Sequence, residues 1–141
     1  MSKKIIIGLT GNIASGKSVV RKMLDRLGAF CIDADKLTHK ILMVGNPGYL
    51  PVVELFGKEI LNPNGEINRK NLGSIVFNNP EKLKQLEAII HPYVRQAVKF
   101  LIKNSKKDVV VIEAIKLLES PIRHECNQIW VVSVDSEVQF Q

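Results

Sequence analysis

Lys4 to Ser18 reads KIIIGLTGNIASGKS, and this stretch decides the fold. Its first half is an apolar run that ends in glycine, which is typical of a buried strand. Its second half, Gly11 to Ser18, matches the pattern G-x-x-x-x-G-K-[S/T]. Apolar residues at helical spacing then follow at four positions: Val20, Met23, Leu24 and Leu27. The pattern predicts a strand, a phosphate-binding loop and a helix, in that order.

The residue types in this loop suit the binding of a nucleotide. Glycines let backbone N–H groups close around phosphate oxygens, and the helix that follows points its positive end at them. We expect Lys17 to reach the β and γ phosphates of ATP and Ser18 to place its hydroxyl on Mg²⁺. The residues predicted to bind the nucleotide are Gly11, Ala14, Ser15, Gly16, Lys17, Ser18 and Val19. The alternative is an ordinary glycine turn, and the position between a strand and a helix argues against it.

Three further apolar runs predict the rest of the sheet. They cover Phe30–Ile32, Val109–Ile112 and Ile129–Val132, and a helical stretch from Lys36 to Leu42 follows the first of them. Because strands alternate with helices, we expect an α/β fold with a parallel sheet. The last two runs are typical of central strands buried on both faces, and Trp130 is expected in the core.

The middle of the chain is predicted to be a mostly helical insertion. Turn sequences occur at Gly45–Gly48 and Asn62–Gly65, and Pro80 and Pro92 suit the first positions of helices. The predicted domains are residues 1–44 with 108–141 as the nucleotide-binding core, and residues 45–107 as a helical, substrate-binding insertion.

Three acidic residues follow the predicted strands, at the edge where parallel sheets bind ligands. The i, i+2 spacing of Asp33 and Asp35 puts both carboxylates on one side if the backbone stays extended. One could accept a proton from an attacking hydroxyl, and the other could orient water around Mg²⁺. Alternatively, Asp35 caps the helix that starts at Lys36. Glu113 ends the third strand and either supports Mg²⁺ or makes a structural hydrogen bond.

Composition narrows the class of protein. Charged residues make up 24% and hydrophobic residues 45%, as in folded globular domains. The first apolar run stops at Thr10, too short for a signal peptide, and no stretch reaches membrane-spanning length, so we expect a cytoplasmic protein without membrane contact. The net charge of +6 suits anionic ligands, but the basic residues lack the aromatic interleaving that favours nucleic acid, which is not an expected partner. Cys31 and Cys126 lie far apart and predict small buried side chains.

These motifs together resemble the dephospho-coenzyme A kinase family, a group of P-loop kinases. Gly8–Ser18 is similar to the family's extended phosphate loop, and Ile32–Asp35 is similar to its acidic pair. Leu86–Arg95, which reads LEAIIHPYVR, resembles a family segment that general nucleotide kinases lack. The likeness covers nearly the whole chain.

The resemblance implies ATP-dependent phosphorylation of the ribose 3′-hydroxyl of dephospho-coenzyme A, the last step of coenzyme A synthesis. Asp35 then matches the family's base, and Lys17 acts on the transferred phosphate. The positions that the resemblance assigns to the substrate side are Asp33, Arg69, His91, Arg95 and Glu113. The arginines can pair with phosphate or orient neighbouring acids. The oligomeric state stays open.

Two departures from the family pattern stand out. After the third strand the family often has an acidic residue followed by Pro-Leu-Leu, whereas Glu113–Glu119 reads EAIKLLE. Family members also continue several dozen residues beyond the equivalent of Gln141, through an arginine-bearing lid and a final strand and helix. From this we expect the 141 residues alone to bind nucleotide but to catalyse poorly.

Two other functions share the same loop. One is a different small-molecule P-loop kinase, acting for example on nucleoside monophosphates or a sugar acid. The other is a nucleotide-binding switch or fragment without catalysis, although the sequence lacks the guanine-selective N-K-x-D element. A panel of acceptor substrates separates these possibilities.

Overall fold

Four parallel strands form one sheet in a computed structural model that describes residues 3–12 and 16–133. The strands are β1 (Ile5–Thr10), β2 (Phe30–Asp33), β3 (Val109–Glu113) and β4 (Gln128–Val131). Their order across the sheet is β2-β3-β1-β4. Each coincides with a predicted apolar run to within one or two residues, and the parallel α/β sheet is confirmed.

The helices account for most of the remaining described chain. They are α1 (Lys17–Arg26), α2 (Ala34–Ile41), α3 (Tyr49–Phe56), α4 (Arg69–Phe77) and α5 (Pro80–Asn104). Short 3₁₀ turns cover Lys58–Ile60, Leu117–Glu119 and Pro121–Glu125. In the described part of the chain, no helix combines the length and the apolar character that crossing a membrane requires.

One face of the sheet packs against α1. Ile7, Leu9 and Val111 are buried there, and Val20 and Leu24 of α1 cover them. These two helical residues belong to the predicted apolar stripe, and their burial holds the start of α1 against the strand that precedes the phosphate loop.

The opposite face is covered by the segment that follows β3. A Cβ atom at Gly8 would lie 2.5 Å from Leu117 Cδ2 and 2.8 Å from Cys126 Sγ, so only glycine allows this approach. Both cysteines of the chain are free thiols. Burial, with a smaller effect of Glu125, raises the pKa of Cys126 to about 11, so this thiol stays protonated near neutral pH.

β4 is more exposed than the sequence predicted. It pairs only with β1 in the described sheet, and Ile129, Trp130 and Val131 are exposed, Trp130 by 40%. The prediction of a core tryptophan on a central strand is therefore wrong for this structure. A run of β-branched residues predicts a strand, but its place in the sheet depends on pairing with a distant part of the chain.

Pro92 does not begin a helix, contrary to the prediction. It is inside α5, whereas Pro80 begins that helix as expected. Proline removes one helical hydrogen bond and disfavours the helix interior by about 3 kcal/mol. The buried positions Leu86, Ile90 and Val94 continue at helical spacing across it, and this packing keeps the helix unbroken.

The chain divides into two compact units. The first consists of Met1–Asp35 with Ala97–Gln141, and the second is Lys36–Gln96. The second unit starts and ends about ten residues earlier than the predicted insertion. Its assignment to the substrate remains a prediction.

Candidate active site

The first unit brings three strand ends together at the carboxyl edge of its sheet. Glu113 on β3 is in register with Asp33 on β2 and with Leu9 on β1. From β1 the chain continues to β2, and from β3 it continues to β4 on the other side. Adjacent strands whose connections diverge in this way form the switch point at which parallel sheets bind ligands.

The phosphate loop leads directly into α1 at this edge. Gly16 adopts a left-handed conformation, with φ 88°, and Lys17 is the first residue of the helix. A Cβ at Gly16 would meet no atom of the described residues within 4 Å, whereas the left-handed backbone conformation itself favours glycine. Gly11 likewise has a positive φ, of 149°. Ser18 and Val19 are exposed in the first turn, while the predicted Ala14 and Ser15 lie outside the described residues.

Lys17 and Glu113 form a buried ion pair across this edge. Lys17 Nζ lies 3.1 Å from Glu113 Oε1, and the two side chains are only 9% and 10% exposed. The other carboxylate oxygen, Oε2, lies 3.1 Å from Arg21 Nε. One carboxylate thus contacts two cations, both from α1.

Asp35 belongs to the first turn of α2, which begins at Ala34. The backbone therefore does not stay extended through the acidic pair, and Asp35 does not cap a helix at Lys36. Its Oδ2 atom accepts a hydrogen bond from the Ile115 backbone N–H at 3.2 Å. Ile115 in turn accepts a hydrogen bond from the Thr10 hydroxyl at 2.9 Å. The segment after β3 is thereby tied to β1 and to α2.

Two residues of this network were not predicted from the sequence. Thr10 is 4% exposed and fixes the Ile115 carbonyl, and Arg21 pairs with Glu113. Arg21 could have been found, since residues i and i+4 share a helix face and Arg21 is four residues after Lys17. Thr10 carries no comparable signal, because its partner lies in a distant segment.

The remaining candidates belong to the second unit. Arg69 is the first residue of α4, whose cap is Asn68: the Asn68 side chain accepts from Asn71 N–H, and its backbone N–H donates to Ile60 O at 2.7 Å. Arg69 lines a cavity of about 370 Å³ together with His39, Leu42, Met43, Val44, Glu66 and Ile67. The lining therefore combines apolar with polar and charged side chains.

His91 and Arg95 are one turn apart on α5. His91 Nε2 lies 3.7 Å from Glu87 Oε2. Neither residue lines the cavity beside Arg69. The three candidates of the second unit thus occupy two places, the start of α4 and one stretch of α5.

Comparison with known proteins decides the family. A family model described as dephospho-CoA kinase matches residues 5–141. The chain belongs to the dephospho-CoA kinase family. Its activity is accordingly the ATP-dependent phosphorylation of dephospho-CoA, in the synthesis of coenzyme A, which confirms the function expected from the resemblance.

Individual relatives agree. The chain is 44% identical to the dephospho-CoA kinase of Geobacter sulfurreducens, over 96% of this chain and 71% of the relative. It is 45% identical to that of Carboxydothermus hydrogenoformans, over 96% and 68%. Among solved structures, TT1252 from Thermus thermophilus superposes with a TM-score of 0.83 at 31% identity, covering 97% of this chain and 69% of that one. The dephospho-CoA kinase of Campylobacter jejuni gives 0.57 at 26%, covering 94% and 90%.

Proposed function

We propose that Asp35 is the general base of the phosphoryl transfer and that Lys17 holds the transferred phosphate. The observation that carries this proposal is the fixed carboxylate of Asp35 at the same edge of the sheet as the phosphate loop. The Ile115 N–H holds Oδ2, and the second oxygen is the one that would accept the proton of the ribose 3′-hydroxyl. A base must be held in place before it can act, and this hydrogen bond supplies the constraint.

The phosphates of ATP would bind at the start of α1. Backbone N–H groups of the loop and the positive end of the helix favour the anionic oxygens, with Gly11 and Gly16 providing the unusual backbone conformations. Lys17 would contact the β and γ phosphates, where negative charge is redistributed as the phosphoryl group leaves ADP. Val19 follows in the first turn and is predicted to border the nucleotide.

The same edge offers oxygen ligands of the type that Mg²⁺ prefers. The Ser18 hydroxyl and the carboxylate of Asp33 are hard oxygen donors, and Mg²⁺ in kinases takes one or two protein ligands besides phosphates and water. No group of three His, Cys, Asp or Glu residues suited to a metal occurs in the described residues, and this mode of binding does not require one. When bound, Mg²⁺ would neutralise charge on the β and γ oxygens.

Arg69, His91 and Arg95 of the second unit would bind dephospho-CoA. Dephospho-CoA contains a diphosphate and an arm that combines methyl and methylene groups with amides, and the lining of the cavity at Arg69 combines a cation with apolar side chains. The contacts of Glu113 with Lys17 and Arg21 favour a role on the nucleotide side for this acid. A cytoplasmic location and the absence of nucleic-acid partners stay predictions.

The test is an acceptor-dependent ATPase assay. ADP release should require both dephospho-CoA and Mg²⁺, stop when EDTA is added, and resume with excess Mg²⁺. Mass spectrometry and phosphorus NMR of the product should place the new phosphate on the ribose 3′-oxygen. Dephospho-CoA that lacks the 3′-hydroxyl is the matched control and should act only as an inhibitor.

A panel of nucleoside monophosphates and sugar acids completes the assay. Turnover of one of these acceptors in place of dephospho-CoA would contradict the proposal and favour another small-molecule kinase. ADP release that is independent of any acceptor would contradict the role of Asp35 as the base for a substrate hydroxyl.

A further inference from the structure

Arg21 holds a position that the phosphate-loop motif does not explain. It lies four residues after Lys17 on α1, outside the G-x-x-x-x-G-K-[S/T] pattern, and its side chain is about one third exposed. Its backbone carbonyl accepts a weak hydrogen bond from Cys31 Sγ at 3.9 Å, which sets this turn of α1 against β2. The Arg21 side chain therefore contacts Glu113 from a helix that is itself packed on the sheet.

The two contacts of Glu113 use different oxygens. Lys17 Nζ lies 3.1 Å from Oε1, and Arg21 Nε lies 3.1 Å from Oε2. The cluster of Lys17, Arg21 and Glu113 therefore carries a net charge of +1. Lys17 with Glu113 alone would be neutral, and such a pair has no surplus charge to offer the phosphates of ATP.

Burial makes the second cation important for nucleotide binding. The Glu113 side chain is 10% exposed, and a buried carboxylate that loses its only partner is strongly unfavourable. If Lys17 were the only partner, ATP would have to separate a buried ion pair to recruit the lysine. With Arg21 on Oε2, the carboxylate keeps a partner when Lys17 moves towards the phosphates.

We infer that Arg21 is a positioning residue that retains Glu113 so that Lys17 can bind the phosphates of ATP. The inference rests on the proposed role of Lys17 and adds a residue of this chain to the nucleotide site. It also gives the acid at the end of β3 a specific role, since Glu113 orients the lysine before ATP binds and is held by the arginine afterwards. Arg21 acts through Glu113 and does not contact the nucleotide.

The experiment is a double-mutant cycle on ATP affinity. Arg21→Gln should raise the Kd of Mg-ATP, measured by calorimetry well below the melting temperature, about tenfold. The same change in the Glu113→Gln background should alter the Kd less than twofold, because no buried carboxylate remains that needs a second cation. Arg21→Lys should restore most of the affinity. Lys22→Gln, an exposed change at the next position of α1, is the control and should leave the Kd unchanged.

Kinetics separates this role from a purely structural one. The KM for ATP should rise in Arg21→Gln, while the KM for dephospho-CoA stays the same. A role in folding alone would lower the melting temperature and leave both the Kd and the KM for ATP unchanged, and this result would overturn the inference. An effect of Arg21→Gln that is equally large in the Glu113→Gln background would also overturn it.

Two further variants, Arg21→Lys and Lys17→Ala, complete the experiment. If Arg21→Gln does not fold, the cycle is run with Arg21→Lys, where a two- to threefold rise in Kd that disappears in Glu113→Gln is expected. Lys17→Ala is measured in parallel. Unchanged ATP affinity in that variant would contradict the proposed role of Lys17, whereas a loss there with no effect of Arg21→Gln contradicts only the inference about Arg21.

Discussion

The two units of the chain present their candidate residues in different ways. In the first unit, Lys17 and Glu113 are buried and paired, and Asp35 is held by a backbone N–H. In the second unit, Arg69 is exposed and lines a cavity, and His91 lies beside Glu87 on the surface of α5. The first arrangement fixes the groups that we propose to act on the transferred phosphoryl group. The second suits contact with a larger ligand.

This difference predicts which kinetic parameter each residue controls. Preorganised groups act mainly in the transition state, so their removal lowers kcat. Exposed cations that hold a remote part of the substrate contribute to binding, so their removal raises KM. Substitutions in the two units therefore test whether residues of the first unit control kcat and residues of the second unit control KM.

Asp35→Asn should have the largest effect. We expect kcat to fall by about 10²–10⁴, the usual contribution of a general base, with little change in the Kd of ATP. Asparagine keeps an oxygen that can accept the Ile115 N–H, so the melting temperature should stay close to that of the parent protein. Steady-state kinetics, calorimetry and thermal unfolding on the same sample provide the three values.

Asp25→Asn is the matched control, because Asp25 is an exposed acid on α1. It should leave all three values unchanged. A parallel loss of stability and activity in Asp35→Asn would mean that the carboxylate is structural. The first unit would then lack its proposed base.

Lys17→Ala should lower kcat by about 10²–10³, the typical effect of removing one charge-stabilising group. It should also lower the free energy of unfolding by about 1–3 kcal/mol, because the buried Glu113 keeps only Arg21 as a partner. Lys22→Ala, at an exposed position of the same helix, is the comparison. A folded Lys17→Ala protein with normal turnover would remove the lysine from the mechanism.

Local patterns allowed much of the first unit to be predicted. Short stretches of sequence predict the strand before Gly11, the helix after Gly16 and the acids at the ends of β2 and β3. The position of the candidate site could therefore be predicted from the sequence, since parallel strands bring their carboxyl ends to one edge of the sheet whatever their order. The edge position of β4 and the path of α5 through Pro92 depended on packing between distant residues, which no short pattern encodes.

The sequence predicted which residues belong to the candidate site better than it predicted the contacts between them. Glu113 and Asp35 were named as candidates, but their partners Arg21 and Ile115 come from other segments. Those partners depend on the sheet order and on the position of α1 against the strands. In the second unit, Arg69, His91 and Arg95 were identified through the family resemblance alone, since none of them belongs to a motif whose chemistry is evident.

Arg69→Ala and Arg95→Ala should each raise the KM for dephospho-CoA by about ten- to a hundredfold, since a charge-assisted hydrogen bond contributes roughly 1.5–3 kcal/mol. The KM for ATP should stay within twofold of its original value. Lys70→Ala replaces an exposed cation next to Arg69 and is the control for the loss of charge. A selective rise in the KM for ATP would move these arginines to the nucleotide side and remove the contrast between the units.

A pair of glycine substitutions gives the smallest expected effect and compares the packing of the two units. In the first unit, a Cβ at Gly8 would lie 2.5 Å from Leu117 Cδ2, so Gly8→Ala should lower the free energy of unfolding by about 1–3 kcal/mol. In the second unit, Gly73 lies within α4 and a Cβ there would meet nothing within 4 Å. Gly73→Ala should therefore raise the free energy of unfolding by up to about 1 kcal/mol through helix propensity.

Urea unfolding, followed by circular dichroism, measures both glycine variants. The segment that packs on Gly8 continues from β3 and contains Ile115, whose N–H holds Asp35. A shift of this segment in Gly8→Ala would disturb the proposed base, so kcat should fall although Gly8 lies within β1 and outside the phosphate-loop motif. In Gly73→Ala, kcat should stay the same. Equal stability changes in the two variants would contradict the close packing at Gly8. A normal kcat in a destabilised Gly8→Ala protein would show that the Asp35 carboxylate does not depend on this packing.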